Sequence, residues 1–357
     1  MKEDIKKVFF LGAGFSKAIN KSYPVLANLL DEIKPKIGER EPSLKNYFSS
    51  SIPSEQKVNI ETLLTYLSED LPFKNDIQRS LDLTLYKEIV GLVSEKFYNL
   101  SKENYWNSPQ TDHSLKEQIV SYLKSEYENV NFISLNYDLV LERIFWTVFN
   151  GTNFPSLIKD GSYDLPPPTL DQFYKYRMLA MKELEGNYNY RSPHSWPGII
   201  KLHGSANWFW AGTTKADPIY YRNFSEDDGF IKRLSGGLVP YIVPPVLNKN
   251  SFYNHLALKY LWGEAHKLLE NADEIYIVGF SFPQTDLAVR FLFQSALRKS
   301  SAQIYVINSA SRDKLKENYE QAFGKRKLYY DYTDSEDALQ EFIKDKLEKI
   351  SYRNEQL

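Results

Sequence analysis

A glycine-rich segment with a serine follows the first apolar run of the sequence, KKVFFL at residues 6–11. Glycines let the backbone approach an anion closely and adopt positive φ, and a serine hydroxyl adds a donor near a helix start. The third spaced glycine of the dinucleotide-binding fingerprint is absent, because Ala18 stands two residues beyond the serine. Taken alone, the segment predicts a phosphate-binding loop and a simple tight turn about equally. Its candidate binding residues are Gly12, Ala13, Gly14 and Ser16.

Two polar side chains follow the apolar run NFISL at residues 131–135, namely Asn136 and Asp138. Asp138 stands where it can act as the N-cap of a helix expected to begin at Leu139, a role that aspartate often fills. Asn136 can likewise serve only to turn the chain. For these two residues taken alone, a structural role is favoured over a functional one.

His203 follows the apolar run GIIKL at residues 198–202 and precedes Gly204 and Ser205, which predict a turn of small residues. A single histidine is more often structural than catalytic. An imidazole that titrates near neutral pH at the end of a strand is nevertheless suited to act as a general base. The other four histidines stand in polar helical or loop contexts, and they are His113, His194, His255 and His266.

Two further apolar runs end in residues of the same kind. Gly279 and Ser281 follow EIYIV at residues 274–278, and Asn308 follows AQIYVI. Ordinary turn and helix-cap chemistry explains either one. Five such positions at the ends of five predicted strands are harder to explain as turns than any one of them.

Predicted strands and helices alternate along the chain, and the candidate residues lie where the strands end. Near-continuous apolar strands separated by helices predict a doubly wound, Rossmann-like α/β fold with a mainly parallel sheet covered on both faces. Ligands of such sheets bind outside the carboxyl ends of the strands. We expect one domain over residues 1–357, with a helical insertion at about 40–130 and an irregular insertion at about 150–198 that carries one helix near 170–184.

The composition excludes several classes of protein. The 44 basic and 46 acidic side chains give a net charge of -2, which creates no overall field for nucleic acid or anionic membrane. The absence of cysteine excludes disulfides, thiolate nucleophiles and cysteine-based zinc sites. We expect no signal peptide and no membrane span, because no apolar run approaches about 18 residues. The sequence therefore predicts a cytoplasmic protein that meets nucleic acid only indirectly.

Together, the motifs resemble the sirtuin-like proteins of bacterial anti-phage defence systems. The resemblance extends from about residue 6 to 310, and it is the combination and order of the motifs that make it specific. The motifs are GAGFS at 12–16, LNYDLVLE at 135–142, KLHGS at 201–205, VPP at 243–245 with Lys249 downstream, GFSFPQTD at 279–286 and IN at 307–308.

The resemblance implies an NAD site on the Rossmann-like sheet. The loop at Gly12 would hold the pyrophosphate through Ala13, Gly14 and Ser16. Gly279 and Ser281 would contact phosphate and ribose from the other side, and Asn308 would meet the adenosine ribose. Asn136 would hold the nicotinamide ribose or orient a water, Asp138 would bind the carboxamide, and His203 would be the base.

One departure from the family pattern affects the expected reaction. Protein-deacylating sirtuins usually carry a small module with four zinc-binding cysteines that helps to form the acyl-peptide groove, and this sequence has none. Water is then the simplest acceptor, and the resemblance implies an NAD glycohydrolase that needs no zinc or other metal. An NAD-dependent deacylase or ADP-ribosyltransferase remains an alternative, as does a non-catalytic module that binds NAD or ADP-ribose within an assembly.

The resemblance also implies regulation. An enzyme that starves an infected cell of NAD in abortive infection must be silent at rest, and the predicted core reaches almost to the last residue. We therefore expect self-assembly into a homo-oligomer or control by a separate partner. Relatives of this kind work with a HerA-type ATPase or a short Argonaute.

Overall fold

The computed structural model describes ten parts of the chain, which comprise residues 5–39, 41–51, 58–102, 106–126, 130–149, 199–215, 219–221, 237–247, 249 and 252–355. The irregular insertion predicted at 150–198, with its helix near 170–184, lies outside these residues. Nine strands are described, with the bounds β1 Lys7–Leu11, β2 Val130–Ser134, β3 Ile199–Lys201, β4 Gly204–Trp210, β5 Tyr220–Tyr221, β6 Val239–Ile242, β7 Glu274–Val278, β8 Gln303–Asn308 and β9 Leu328–Thr333.

Six of these strands form one parallel sheet in the order β3-β2-β1-β7-β8-β9. β1 pairs with β2 on one side and with β7 on the other, so that Phe9 aligns with both Phe132 and Tyr276. The strand order reverses between β1 and β7, which is the point where open α/β sheets form their ligand crevice. The predicted Rossmann-like α/β fold is confirmed, and the C-terminal region completes the sheet with β9.

Helices cover both faces of this sheet. Their bounds are α1 Ala13–Ile19, α2 Leu26–Ile33, α3 Pro42–Ser51, α4 Ile60–Ser68, α5 Asp76–Leu100, α6 His113–Glu126, α7 Val140–Phe149, α8 Leu256–Glu270, α9 Leu287–Ala296, α10 Arg312–Phe323 and α11 Ala338–Glu355. Short 3-10 helices lie at Lys34–Lys36 and Phe252–Asn254. α3 to α6 make up the described part of the predicted helical insertion. α5 begins with a capping box between Asn75 and Gln78, which fixes its first turn.

The strands are apolar throughout because both of their faces are buried. Successive side chains of a strand point to opposite faces, so Phe9 joins one core and Phe10 the other. Both are almost inaccessible to solvent, at 4% and 0% exposure. The core around Phe9 is covered by helices that include α6, α7 and α11, whereas α8, α9 and α10 cover the core around Phe10.

A second, antiparallel sheet begins directly after His203. β4 lies at its centre between β5 and β6. The prediction of a turn of small residues at Gly204 and Ser205 was wrong, because Gly204 is the first residue of β4. Gly204 adopts φ +75° and a Cβ there would lie 2.2 Å from the carbonyl oxygen of Tyr241 in β6. Glycine is required here by the close approach of two strands, which local sequence does not reveal.

Candidate functional site

The loop after β1 packs directly against the loop after β7. The N–H of Gly12 donates to the Val278 carbonyl at 2.9 Å, and the N–H of Gly14 donates to the Gly279 carbonyl at 3.0 Å. A Cβ on Gly14 would lie 2.6 Å from the Gly279 Cα. Contact between two backbones therefore accounts for these glycines, whether or not an anion also approaches them.

Ser16, Asn136 and Asp138 form one buried hydrogen-bond network. The Asn136 side chain amide donates to the Gly12 carbonyl at 2.9 Å and to the Ser16 hydroxyl oxygen at 3.0 Å. The Ser16 hydroxyl bonds in turn to the Asp138 carboxylate. Ser16 is 1% exposed, so its hydroxyl lies inside the network. Residues that are about 120 positions apart in sequence thus meet at the carboxyl edge of β1 and β2.

Asp138 has a structural role beside its candidate one. Its carboxylate accepts the N–H of Val140 at 3.1 Å, where α7 begins one residue later than predicted. Burial raises the pKa of Asp138, and the Lys201 ammonium, the Ser16 hydroxyl and the Val140 amide oppose that rise. The predicted capping contact and the predicted site residue are therefore the same side chain.

Lys201, the last residue of β3, lies beneath this network. Its ammonium contacts the backbone carbonyl of Asp138 and forms an ion pair with Glu142 at 3.0 Å, and its side chain is 1% exposed. Burial raises the pKa of Glu142, and Lys201 opposes that rise. Sequence reasoning missed this role, although a lysine within a buried parallel strand is a signal that requires an acidic partner.

His203 is buried where β3 passes into β4. Its carbonyl accepts the N–H of Val243 at 2.8 Å, and its Nε2 lies 3.2 Å from the Tyr253 hydroxyl. Burial lowers the pKa of His203 to about 4; the nearby Asp286 opposes this change and Lys249 adds to it. The imidazole is thus neutral at physiological pH and can accept a proton.

An ion pair lies next to His203, and the carboxyl group of Glu61 lies next to that ion pair. Lys249 pairs with Asp286, and the two side chains are 8% and 11% exposed. Glu61 of α4 bonds to Thr285; burial raises the pKa of Glu61, and Lys249 opposes that rise. Sequence reasoning assigned no role to these residues, although Lys249 and Asp286 both fall in the recognised motifs. No sequence signal marks Tyr253.

The backbone connects His203 to Asn136 and Asp138. The carbonyl of Tyr137 accepts the N–H of Ala206 at 2.8 Å, which ties the segment after β2 to β4. The Tyr137 hydroxyl donates to the Val243 carbonyl at 2.6 Å, and Val243 also bonds to His203. The structure therefore brings Asn136, Asp138 and His203 into one region.

The remaining predicted residues lie around the loop after β7. The N–H of Gly279 donates to the Ile307 carbonyl at 2.8 Å, and the Asn308 amide donates to the Phe280 carbonyl at 3.3 Å. Asn308 also accepts the N–H of Ala310 at 3.0 Å. Ala13 and Ser281 are exposed, so their surfaces are open to a ligand.

His255 differs from the polar context predicted for it. It is 4% exposed, caps α8 through the N–H of Ala257, and packs against Tyr241 with ring centroids 4.8 Å apart. Its role is structural.

Among the described residues, no group of three or more histidine or acidic side chains is arranged to hold a metal ion. Within the same residues, no helix combines the length and apolarity needed to cross a bilayer.

Comparison with known proteins finds similarity only among solved structures. No protein-family model matches the sequence, and no curated protein matches it. The chain is similar to a mutant Sir2 homologue in complex with 2'-O-acetyl ADP-ribose, at 13% identity and a TM-score of 0.46, over 98% of this chain and 92% of that one. It is also similar to a Sir2 homologue in complex with NAD, at 12% identity and a TM-score of 0.43, over 97% and 90% of the two chains.

Proposed function

We propose that this chain is an NAD glycohydrolase that cleaves NAD to nicotinamide and ADP-ribose. The observation that carries the proposal is the buried network of Ser16, Asn136 and Asp138 at the carboxyl edge of the sheet, next to the reversal of strand order and to a neutral His203. NAD is the ligand that the motifs imply, and it is the substrate rather than a resident cofactor.

The residue types suit this cleavage. Nicotinamide is already a cationic leaving group in NAD, so the C1'–N1 bond can break with its electron pair passing to the ring and without a strong acid. The pocket must then hold the leaving group and supply a positioned nucleophile to an oxocarbenium-like centre. Asp138 would accept the carboxamide N–H, and Asn136 would orient the ribose or the attacking water.

His203 would take the proton that the nucleophile loses. A general base must be unprotonated at the working pH, and burial keeps the imidazole of His203 in that state. A module that only binds NAD would not require both Asn136 and a buried, neutral histidine in the same region of the structure. This observation favours an enzyme over a non-catalytic assembly module.

Water is the acceptor in this proposal. The sequence has no cysteines with which to form the zinc module of protein-deacylating sirtuins. A deacylase or an ADP-ribosyltransferase would need a second substrate cleft beside His203. That alternative is distinguished below by the dependence of cleavage on an acylated peptide.

Product analysis tests the reaction directly. The protein, alone and with the products of neighbouring genes, is incubated with NAD, with and without an acetyl-lysine peptide. We expect equal amounts of nicotinamide and ADP-ribose, unaffected by the peptide and lost in Asn136→Ala and His203→Ala. Cleavage that requires the peptide would instead identify a deacylase. NAD binding without turnover under every condition would identify an assembly module.

We further propose that this activity serves as an abortive-infection effector in bacterial anti-phage defence, in the cytoplasm. The chain would act as a homo-oligomer and would be controlled by a separate partner, such as a HerA-type ATPase or a short Argonaute. The test compares the rate of NAD loss with the purified chain and with the chain plus its partner. Full activity of the purified chain alone at physiological NAD would contradict this regulation.

A further inference from the structure

Tyr253 is held directly against the candidate base. Its hydroxyl oxygen lies 3.2 Å from His203 Nε2, and the two rings are nearly parallel, with an angle of 25° between them. Trp262 packs edge-on against Tyr253 at 4.8 Å and donates its indole N–H to the carbonyl of Leu202. The tyrosine is therefore fixed by a side chain that also bonds to the residue preceding His203.

The protonation states limit the arrangements that this hydrogen bond can take. His203 is neutral at pH 7 because burial lowers its pKa to about 4. Burial and the nearby Asp286 raise the pKa of Tyr253, so Tyr253 remains a phenol. A neutral imidazole has one N–H and one acceptor nitrogen. Two arrangements satisfy these states: either the phenol donates to Nε2 and the imidazole proton resides on Nδ1, or the Nε2–H donates to the phenol oxygen.

The turn that carries Tyr253 is anchored at its start. The carbonyl of Lys249 accepts the N–H of Phe252 at 3.1 Å, while the Lys249 ammonium pairs with Asp286 immediately before α9. At its other end the turn continues into α8. Tyr253 thus belongs to a segment that an ion pair fastens to the loop after β7, on the same edge of the sheet as the candidate NAD site.

We propose that Tyr253 is a catalytic residue that relays a proton from the acceptor water to His203. This inference rests on the proposed NAD cleavage. The relay requires the arrangement in which the imidazole proton resides on Nδ1 and the Tyr253 hydroxyl donates to Nε2, so that the proton of the water reaches the base through that hydroxyl. The water oxygen bonds to C1' as the C1'–N1 bond breaks, and that electron pair leaves with nicotinamide. The water proton passes to the Tyr253 oxygen, and the Tyr253 proton passes to Nε2.

This relay never places a net charge on the tyrosine. A buried phenolate would be costly, since burial already raises the pKa of Tyr253. In a concerted relay one proton arrives as the other departs, and the positive charge appears only on His203. Asp286 is the anionic group that favours this charge, and Lys249 is the cationic group that opposes it. Lys249 and Asp286 act as positioning residues.

The same contact can also be interpreted as a cap that blocks the base until Tyr253 moves away. The two interpretations predict opposite effects of Tyr253→Phe, which keeps the ring and removes the hydroxyl. The relay predicts that kcat for NAD cleavage falls about 100-fold or more, the usual contribution of proton transfer by a positioned group, while Kd for NAD is unchanged. An unchanged or increased kcat would overturn the relay. The control is Tyr352→Phe, which removes the same group from an exposed position on α11.

A second measurement does not depend on NAD cleavage. Imidazole ¹⁵N spectra of the intact chain at pH 7, with the His203 signals assigned by their loss in His203→Asn, report which nitrogen carries the proton. We expect the proton on Nδ1 and an acceptor Nε2 that shifts in Tyr253→Phe. A proton on Nε2 would refute the relay even in a chain that cleaves NAD. The expected spectrum in a chain that never cleaves NAD would refute the proposed function, and the relay with it.

Discussion

Asn136 is the side chain that joins the two halves of the buried network, because its amide reaches both the Gly12 carbonyl and the Ser16 hydroxyl. Asn136→Ala leaves these acceptors without their donor in a buried place. We expect the free energy of unfolding to fall by about 1–3 kcal/mol, measured by urea denaturation.

The matched control for this prediction is Asn271→Ala, which removes a hydrogen bond to the Lys267 carbonyl at an exposed position. Asn271→Ala should change the free energy of unfolding by no more than about 0.5 kcal/mol, as most surface substitutions do. Equal costs for the two variants would show that the Asn136 network does not stabilise the fold.

His203 should make stability depend on pH in the acidic range. Its pKa falls from the ordinary value of 6.5 to about 4 in the folded chain, so the unfolded chain binds a proton that the folded chain excludes. The contribution of neutral His203 to the free energy of unfolding is fully present above pH 6.5 and is lost as pH falls towards 4. The loss amounts to about 3 kcal/mol when complete.

The measurement compares urea denaturation of the wild type and His203→Asn at several pH values. The stability of the wild type relative to the variant should decrease between pH 6.5 and 4. Differences that stay constant over this range would show that His203 is not buried in its neutral form.

At the scale of elements, the Lys249–Asp286 ion pair fastens the turn before α8 to the loop after β7. Removing one partner leaves a buried charge uncompensated, which typically costs about 3–5 kcal/mol. We expect Asp286→Leu to destabilise the chain by this order and Lys249→Met with Asp286→Leu to recover most of the loss, as measured by thermal and urea denaturation.

An exposed pair supplies the control for this double-mutant cycle. Lys316 and Glu320 are 60% and 62% exposed, and such pairs contribute about 1 kcal/mol or less. Lys316→Met should therefore change stability little. A double variant at Lys249 and Asp286 that is no more stable than Asp286→Leu would contradict the role of the pair.

Gly14 and Gly279 should resist substitution because the first turn of α1 and the loop after β7 meet backbone to backbone. The Cβ of Gly14→Ala would lie 2.6 Å from the Gly279 Cα, which no side-chain rotation can relieve. We expect the free energy of unfolding to fall by about 1–3 kcal/mol, the usual cost of overpacking a close contact.

Gly91→Ala is the control. Gly91 lies within α5 with open space around its position, so alanine should stabilise the chain by about 0.5–1 kcal/mol there. A similar result for both variants would contradict the close approach of the loops.

At the scale of the whole molecule, the helical insertion contributes to the region of the candidate site. Thr65 of α4 accepts the N–H of Leu247 at 2.8 Å, and Glu61 of the same helix bonds to Thr285. α5 packs against β4, where the Ser94 hydroxyl donates to the Ala206 carbonyl at 3.3 Å. The described part of the insertion therefore packs against β4 and against the segments that carry Leu247 and Thr285.

The strands of the main sheet could be predicted because their signal is local. Successive apolar residues such as Phe9 and Phe10 indicate a strand that is buried on both faces, and this pattern can be recognised in a short stretch of sequence. β4 was missed because Gly204 and Ser205 were predicted as a turn, while the contact that makes this segment a strand comes from β6. Tyr253 and Glu61 were missed for the same reason, since their partners lie on other elements.

The class of fold, the strands of the main sheet in their order along the chain, and the polar residues that follow them could be predicted from the sequence. These depend on the periodicity of apolar residues and on local turn chemistry, which involve neighbours in sequence. The structure was needed to show that Ser16, Asn136 and Asp138 share one network, that Tyr253 meets His203, and that Lys249 pairs with Asp286. Such contacts depend on which strands become neighbours and on how burial changes the pKa values of the groups brought together.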